Sequence, residues 1–240
     1  MQKPSIIIFK RELRAYFSSP IAYIVTGLFL LASGIWFFQL NPFFLINRAE
    51  LRMFFAFLPV LLSFFIPALT MRVIAEEKRS GSYETLLTLP VSELQIVTGK
   101  FLASFVAGAV MLVPTLFYVV TCMIFGKPDF GPIVGGYIGS LFVIAAFTAI
   151  GLFASSLTKN QIIAFFIAFA ICIIFTLISS FLIFMPSAVV AFFDFFSAYS
   201  HFESISRGII DARDLLYFIS LTALFFVLTV ESLKSTGEAR

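Results

Sequence analysis

Charge is the first thing the chain lacks. Of its 240 residues only 12% are Asp, Glu, Lys or Arg, about half of what a soluble domain of this size carries. An ordinary soluble enzyme or binding domain is therefore excluded. The few cations form no clustered basic surface, so a soluble nucleic-acid binder is excluded too. Histidine occurs once, as His201, and cysteine twice, as Cys122 and Cys172. Both cysteines lie inside apolar runs and read as packing residues rather than as a bridge or a metal pair. The phosphate-cradling pattern GxxxxGK[ST] is missing, since Gly99 and Lys100 are followed by Phe101 and lack the upstream glycine. GxSxG, HExxH and CxxC are missing as well. The chain is expected to bind no ATP, metal or other cofactor and to catalyse nothing by itself.

What is present is apolar bulk: 60% hydrophobic residues, 34 of them Phe. A mean hydropathy of +1.05 excludes a disordered chain. At about 20 apolar residues per crossing, six segments qualify, roughly 21–40, 53–73, 98–125, 133–157, 161–185 and 214–232. Unpaired backbone groups find no water in lipid, so these spans must be helical. The reading is an all-α integral membrane protein forming one domain over residues 1–240. The first run lacks a small-x-small cleavage site and reads as a retained span.

Orientation follows from the cations. Lys3, Lys10, Arg11, Arg14, Arg72, Lys78, Arg79, Lys100, Lys159, Lys234 and Arg240 fall on one side, eleven against the five of Arg48, Arg52, Lys127, Arg207 and Arg213. That imbalance places both termini in the cytoplasm. Residues 5–17 put Ile6, Phe9, Leu13 and Tyr16 on one stripe flanked by cations, the pattern of an amphipathic helix lying in the headgroup layer. Pro59, Pro67 and Pro114 mark expected kinks. Gly131, Gly135 and Gly139 form a small-residue stripe open to close packing within the subunit or against another.

Two connections hold the polar chemistry. In residues 75–100 the second span is expected to run on through Glu76, Glu77, Lys78 and Arg79 to a left-handed cap at Gly81. Ser82 then starts a short helix, Tyr83 to Leu89, with Glu84, Leu86 and Leu87 on it. Pro90 stops that helix, and Ser92 with Gln95 forms a capping box. A short apolar and charged element between fixed corners suits docking to a soluble partner. The other connection, 186–214, carries Asp194, His201, Glu203, Arg207, Asp211, Arg213 and Asp214. Ser200 with Glu203 is expected to cap a short helix closed by Gly208, and Arg207 to pair with Asp211 or Asp214. The segment reads as an outer lid; one histidine among scattered carboxylates is poor metal chemistry.

The span centres hold no charge. Ion-coupled carriers keep an ionisable residue at the midplane, so any transport here draws its energy from a partner.

Residues 75–103, AEEKRSGSYETLLTLPVSELQIVTGKFLA, resemble the signature cytoplasmic region of type-2 ATP-binding-cassette (ABC) transporter permeases. GLFASSLTKNQIIAF, 151–165, and HFESISRGIIDARDLLYF, 201–218, are similar to segments of the gliding-motility-associated branch. The resemblance implies a half-transporter in a bacterial cytoplasmic membrane. Two six-span permeases, identical or paralogous, would assemble with two separate ATPase subunits that hold ATP and Mg. It makes residues 5–17 an elbow helix and the connection between spans two and three a coupling helix. Glu76, Glu77, Arg79, Gly81, Glu84 and Leu87 would lie at the ATPase contact, with Lys159 and Asn160 in a second turn beside it. Residues 186–214, with His201, Glu203, Arg207, Asp211 and Asp214, would form a re-entrant outer gate. The alternative is a membrane anchor that transmits force in a motility or envelope complex and transports nothing.

Overall fold

The computed structural model describes residues 4–40, 50–83, 90–126, 128–181, 190, 193–209 and 211–238. Among these every regular element is helical. α1 covers Pro4–Ser18 and α2 covers Pro20–Ile35, ending in a π turn, Trp36–Leu40. The corner between them is cut by Ser19, whose extended backbone and side chain cap α2 while Pro20 occupies its first turn. α3 is Arg52–Thr70 and α4 is Ala75–Ser80. α5, Glu93–Leu112, passes through a 3₁₀ turn at Val113–Thr115 into α6, Leu116–Phe125. α7 is Phe130–Leu157, α8 Gln161–Phe181, α9 Ala198–Ser206 and α10 Ala212–Glu238.

Six helical stretches are long and apolar enough to cross a membrane: Pro20–Gln39, Arg52–Ser80, Glu93–Phe125, Phe130–Leu157, Gln161–Phe181 and Ala212–Ser235. The chain is a multi-pass helical membrane protein. α3 continues through Pro59 and Pro67 without changing helix type, whereas Pro114 sits in the 3₁₀ turn that separates α5 from α6. The second span does not run straight on through Glu76 as expected: it breaks at Met71–Ile74 and restarts as α4.

α7 is the central post, packed on α3, α5, α8, α9 and α10. Its apolar window is 72% buried inside the protein, against 22% for α8, which presents most of its side chains to lipid. Lipid tails are as apolar as Leu, so burial alone does not hold such helices together. Close backbone approach and dispersion do. Gly135 shows how close: a Cβ there would stand 2.2 Å from the backbone oxygen of Ile205 in α9. Gly139 faces Phe202 of the same helix, and Gly131 faces Gly208 just beyond it. The glycine stripe thus seats α9 within the subunit.

Buried hydroxyls add no polar route through the bundle. Thr70, Ser140, Thr176 and Thr229 each donate to the carbonyl four residues back in their own helix, so their polarity is spent locally. Cys122 and Cys172 are buried free thiols.

Gly135→Ala is expected to lower stability by about 1–3 kcal/mol, the range for overpacking a tight contact, because the obstructing atom is backbone. Gly27→Ala, with nothing within 4 Å of the added carbon, is the control and should be neutral or mildly stabilising. Thermal unfolding of the two variants in detergent makes the comparison.

Candidate functional site

The polar side chains gather at the two ends of the bundle. At the end carrying most of the cations, α1 does not rest its whole apolar stripe on lipid. Ile8 and Tyr16 are buried and Glu12 lies between them, so residues four apart form a face packed on α5. Gly99 of α5 permits the approach: a Cβ there would lie 2.8 Å from Ile8. Tyr16 donates to the carbonyl of Leu69 or shares a proton with Ser104, both at 3.0 Å. Arg72 reaches across to Ser19 at 2.9 Å and sits over the Tyr16 ring.

The centre of this end is Lys100, 1% exposed. Its ammonium lies 3.1 Å from Glu12, 2.9 Å from Glu77 and 3.0 Å from the carbonyl oxygen of Val73. Arg11 closes the group from outside, contacting Glu12 at 2.6 Å and Glu77 at 2.9 Å. Two cations and two carboxylates from α1, α4 and α5 balance one another. Burial by itself would raise the Glu12 carboxyl, but the charges and hydrogen bonds of Lys100 and Arg11 outweigh it and hold the group below its ordinary 4.5. Burial would likewise lower Arg11, and its two carboxylate partners raise it instead.

α4 is fixed a second way. Ser155 of α7, fully buried, accepts from the backbone N–H groups of Ile74 and Ala75 at 3.1 and 2.9 Å and donates to Met71 at 2.9 Å. One hydroxyl thereby satisfies the broken turn between α3 and α4. Lys78 donates to the carbonyl of Ser156. Beyond α4, Gly81 has φ 75° and ψ −2°, the left-handed cap read from the sequence. Ser82 is already helical, and the expected helix beyond Tyr83, with Glu84, Leu86 and Leu87, lies outside the described residues. The Ser92 and Gln95 capping box opens α5 as expected.

The sequence-derived coupling residues fall on two neighbouring surfaces. Glu76 and Glu77 line a cavity of about 300 Å³ with Glu12, Tyr16 and Arg72. Arg79 lines a second, about 350 Å³, with Thr158, Lys159 and Asn160. The structure therefore brings Arg79 beside the turn that holds Lys159. Asn160 also has a local task, accepting from Ile162 at 2.9 Å at the start of α8.

At the opposite end, α9 lies against α7, and its cap differs from the one expected. Ser197, not Ser200, is the N-cap, accepting from the backbone N–H of Ser200 at 3.2 Å. Arg207 does not pair with Asp211 or Asp214. It folds back on Glu203 one turn earlier, an exposed i,i+4 pair worth about 0.3–0.5 kcal/mol. Asp211 accepts from the N–H of Arg213 and starts α10. Asp214 turns inward to His201, Oδ1 to Nδ1 2.7 Å, while His201 Nε2 lies 3.1 Å from the carbonyl oxygen of Phe195. The ring stacks on Tyr217 at 4.2 Å. Gly208, φ 85°, closes α9. Much of the expected re-entrant segment, 182–189 and 191–192, lies outside the described residues.

The architecture is thus that of a six-span helical membrane protein with a charge-balanced, buried clasp at one end. A family model described as ABC-2 family transporter protein matches residues 41–230, and the chain belongs to that family. No curated protein matches the chain.

Lys100→Met should cost about 3–5 kcal/mol, because it leaves two carboxylates facing each other without their cation. Adding Glu12→Gln and Glu77→Gln to Lys100→Met should recover most of that loss. The pH dependence has a defined sign. Glu12 binds its proton less tightly folded than unfolded, so its contribution is full above the unfolded value and fades as pH falls through the lower folded one. Glu12→Gln should flatten the fall in stability below about pH 4.5, read as melting temperature against pH for wild type and variant.

Proposed function

We propose that this chain is the membrane-spanning permease subunit of an ATP-driven transporter, powered by two separate ATPase subunits that bind ATP and Mg. It pairs with a second copy or a paralogue, and lipid surrounds the assembly. The end bearing Lys100 and α4 faces the cytoplasm, with both termini there, in a bacterial inner membrane. Glu76, Glu77, Arg79 and Gly81 receive the ATPase on one side of the α4 corner, continuing into Glu84 and Leu87, and Lys159 and Asn160 receive it on the other. His201, Glu203, Arg207, Asp211 and Asp214 belong to the gate at the outer end.

The observation that supports this reading best is the clasp. α4 hangs from α3 through a broken turn, yet Lys100, Glu77, Ser155 and Lys78 bind it to α1, α5 and α7. A push on the exposed α4 corner is carried to three other helices at once. The span centres offer no charged site for a coupling ion, which agrees with energy supplied from a partner.

Arg79→Glu reverses charge on an exposed face beside Lys159, and Gly81→Val forces a β-branched residue into the left-handed region. Each is expected to reduce co-purification of the ATPase and ATP-dependent flux in liposomes by about ten-fold while changing the melting temperature of the permease little. Normal ATPase retention and flux in both variants would refute the docking assignment. Retained ATPase with no flux of any substrate in the wild type would favour the force-transmitting anchor.

A further inference from the structure

The α9 end holds an open cavity of about 710 Å³ that neither the packing of the spans nor the family accounts for. Its wall is of two kinds. One side is aromatic and apolar: Phe195, His201, Leu216 and Tyr217. The other brings three carboxylates, Asp194, Asp211 and Asp214, against one guanidinium, Arg213. Negative charge is in excess.

Asp214 makes the site more than an acidic surface cluster. It is 7% exposed, and its Oδ2 is buried with no donor among the described residues. Its other oxygen is taken by His201. A buried carboxylate oxygen without a donor costs about 1–3 kcal/mol or more, so the site lacks a hydrogen-bond donor that a ligand can bring. The other two aspartates are half used: Asp194 accepts from Ser200 and Asp211 from the backbone of Arg213.

The chemistry of the missing donor can be narrowed. A bare metal ion is a poor fit, since no group of three His, Cys, Asp or Glu side chains among the described residues converges with metal geometry. An organic ammonium suits carboxylates set beside aromatic rings, where it gains both charge-assisted hydrogen bonds and cation–π attraction. Arg213 adds the opposite demand. It stands in the first turn of α10, where backbone N–H groups and the helix dipole already favour an anion, and its guanidinium has no carboxylate partner among the described residues. An ammonium and an anionic group a few bonds apart would satisfy both sides.

The surroundings say how such a molecule arrives. Leu216 and Phe195 line the cavity and are each 63% exposed, and Ile219, one turn further along α10, is 52% exposed. These side chains continue the cavity wall onto the lipid-facing surface of a membrane-spanning helix. We propose that this cavity is a headgroup site for an aminophospholipid. The ammonium lies toward Asp214 and Asp194, the phosphate toward Arg213 and the start of α10, and the acyl chains run along Leu216 and Ile219.

The full chain purified in a mild detergent tests this without any ATPase, so the result is separate from the transporter reading. Native mass spectrometry would follow titration with dihexanoyl phosphatidylethanolamine and, in parallel, dihexanoyl phosphatidylglycerol, which has the same chains and phosphate but no amine. The amine lipid should bind about ten-fold more tightly, the factor that one charge-assisted hydrogen bond supplies. Asp214→Asn should abolish the preference, and Asp194→Asn, on the exposed rim, should weaken it even if the first variant disturbs α9. Arg213→Gln should weaken both lipids. Equal affinity for the two lipids, or a wild-type preference in both aspartate variants, would overturn the proposal. Binding of water-soluble O-phosphoethanolamine as tight as that of the lipid would overturn the lipid source.

Discussion

A single buried ammonium organises the end of the molecule from which the rest is hung. Lys100 cannot be left alone at 1% exposure, since an unpaired charge out of water costs several kcal/mol. Its partners must therefore come to it, and they come from three separate stretches of chain: Glu12, Glu77 and the carbonyl of Val73. Meeting that demand fixes α1 along α5, sets where α3 must break, and holds α4 beneath α7. Arg11 completes the balance, so that the group is neutral as a whole while each member is charged. Such a cluster is worth more for the arrangement it imposes than for net stability. Apolar side chains of the same volume would pack these helices without fixing their relative position.

The two ends of the bundle solve the same problem in opposite ways. At the Lys100 end every buried cation contact is answered, and the broken turn is satisfied by Ser155. At the α9 end the helix is seated by close backbone contact with α7, and the polar groups around it are only partly answered. Arg207 spends itself on Glu203 in solvent, while Asp214 holds His201 with one oxygen and nothing with the other. A bundle rigid at one end and incompletely satisfied at the other transmits displacement toward the second. Between them α7, lined with small residues, is the one helix that touches both the α4 corner and α9.

Much of this fold was legible because hydrophobic length is a strong signal. Six apolar runs bounded by Gly81, Pro90, Gly126 and Asp129 left little freedom in the count, and the caps at Gly81, Ser92 and Gly208 follow from local backbone chemistry. What escaped reading depended on partners distant in sequence. Lys100 was counted as one more cation at a membrane boundary, and nothing near it in the chain says that Glu12 will meet it. A usable sign did exist: Glu12 falls four residues from both Ile8 and Tyr16, so the face it shares with them had to find a cation once packed. Arg207 was misassigned for the opposite reason. Asp211 and Asp214 are close in sequence, but a helix offers its own i,i−4 neighbour first, and Glu203 was already in place. The break at Met71–Ile74 was hidden because the turn is held by a hydroxyl from the far end of α7.

The polar content of the spans bears on what such a protein can move. Hydroxyls that bond back to their own helix leave no continuous row of donors and acceptors across the bundle, and the ionisable groups that are buried stand at its ends. A route for a small hydrated ion through a single copy would have to supply those groups from somewhere else. An amphiphile makes a different demand, because its tails can stay in lipid while only the headgroup needs polar partners. A polar cavity at the rim of a lipid-facing helix, with an apolar flank and no polar track behind it, meets that demand at the protein's edge rather than through its centre.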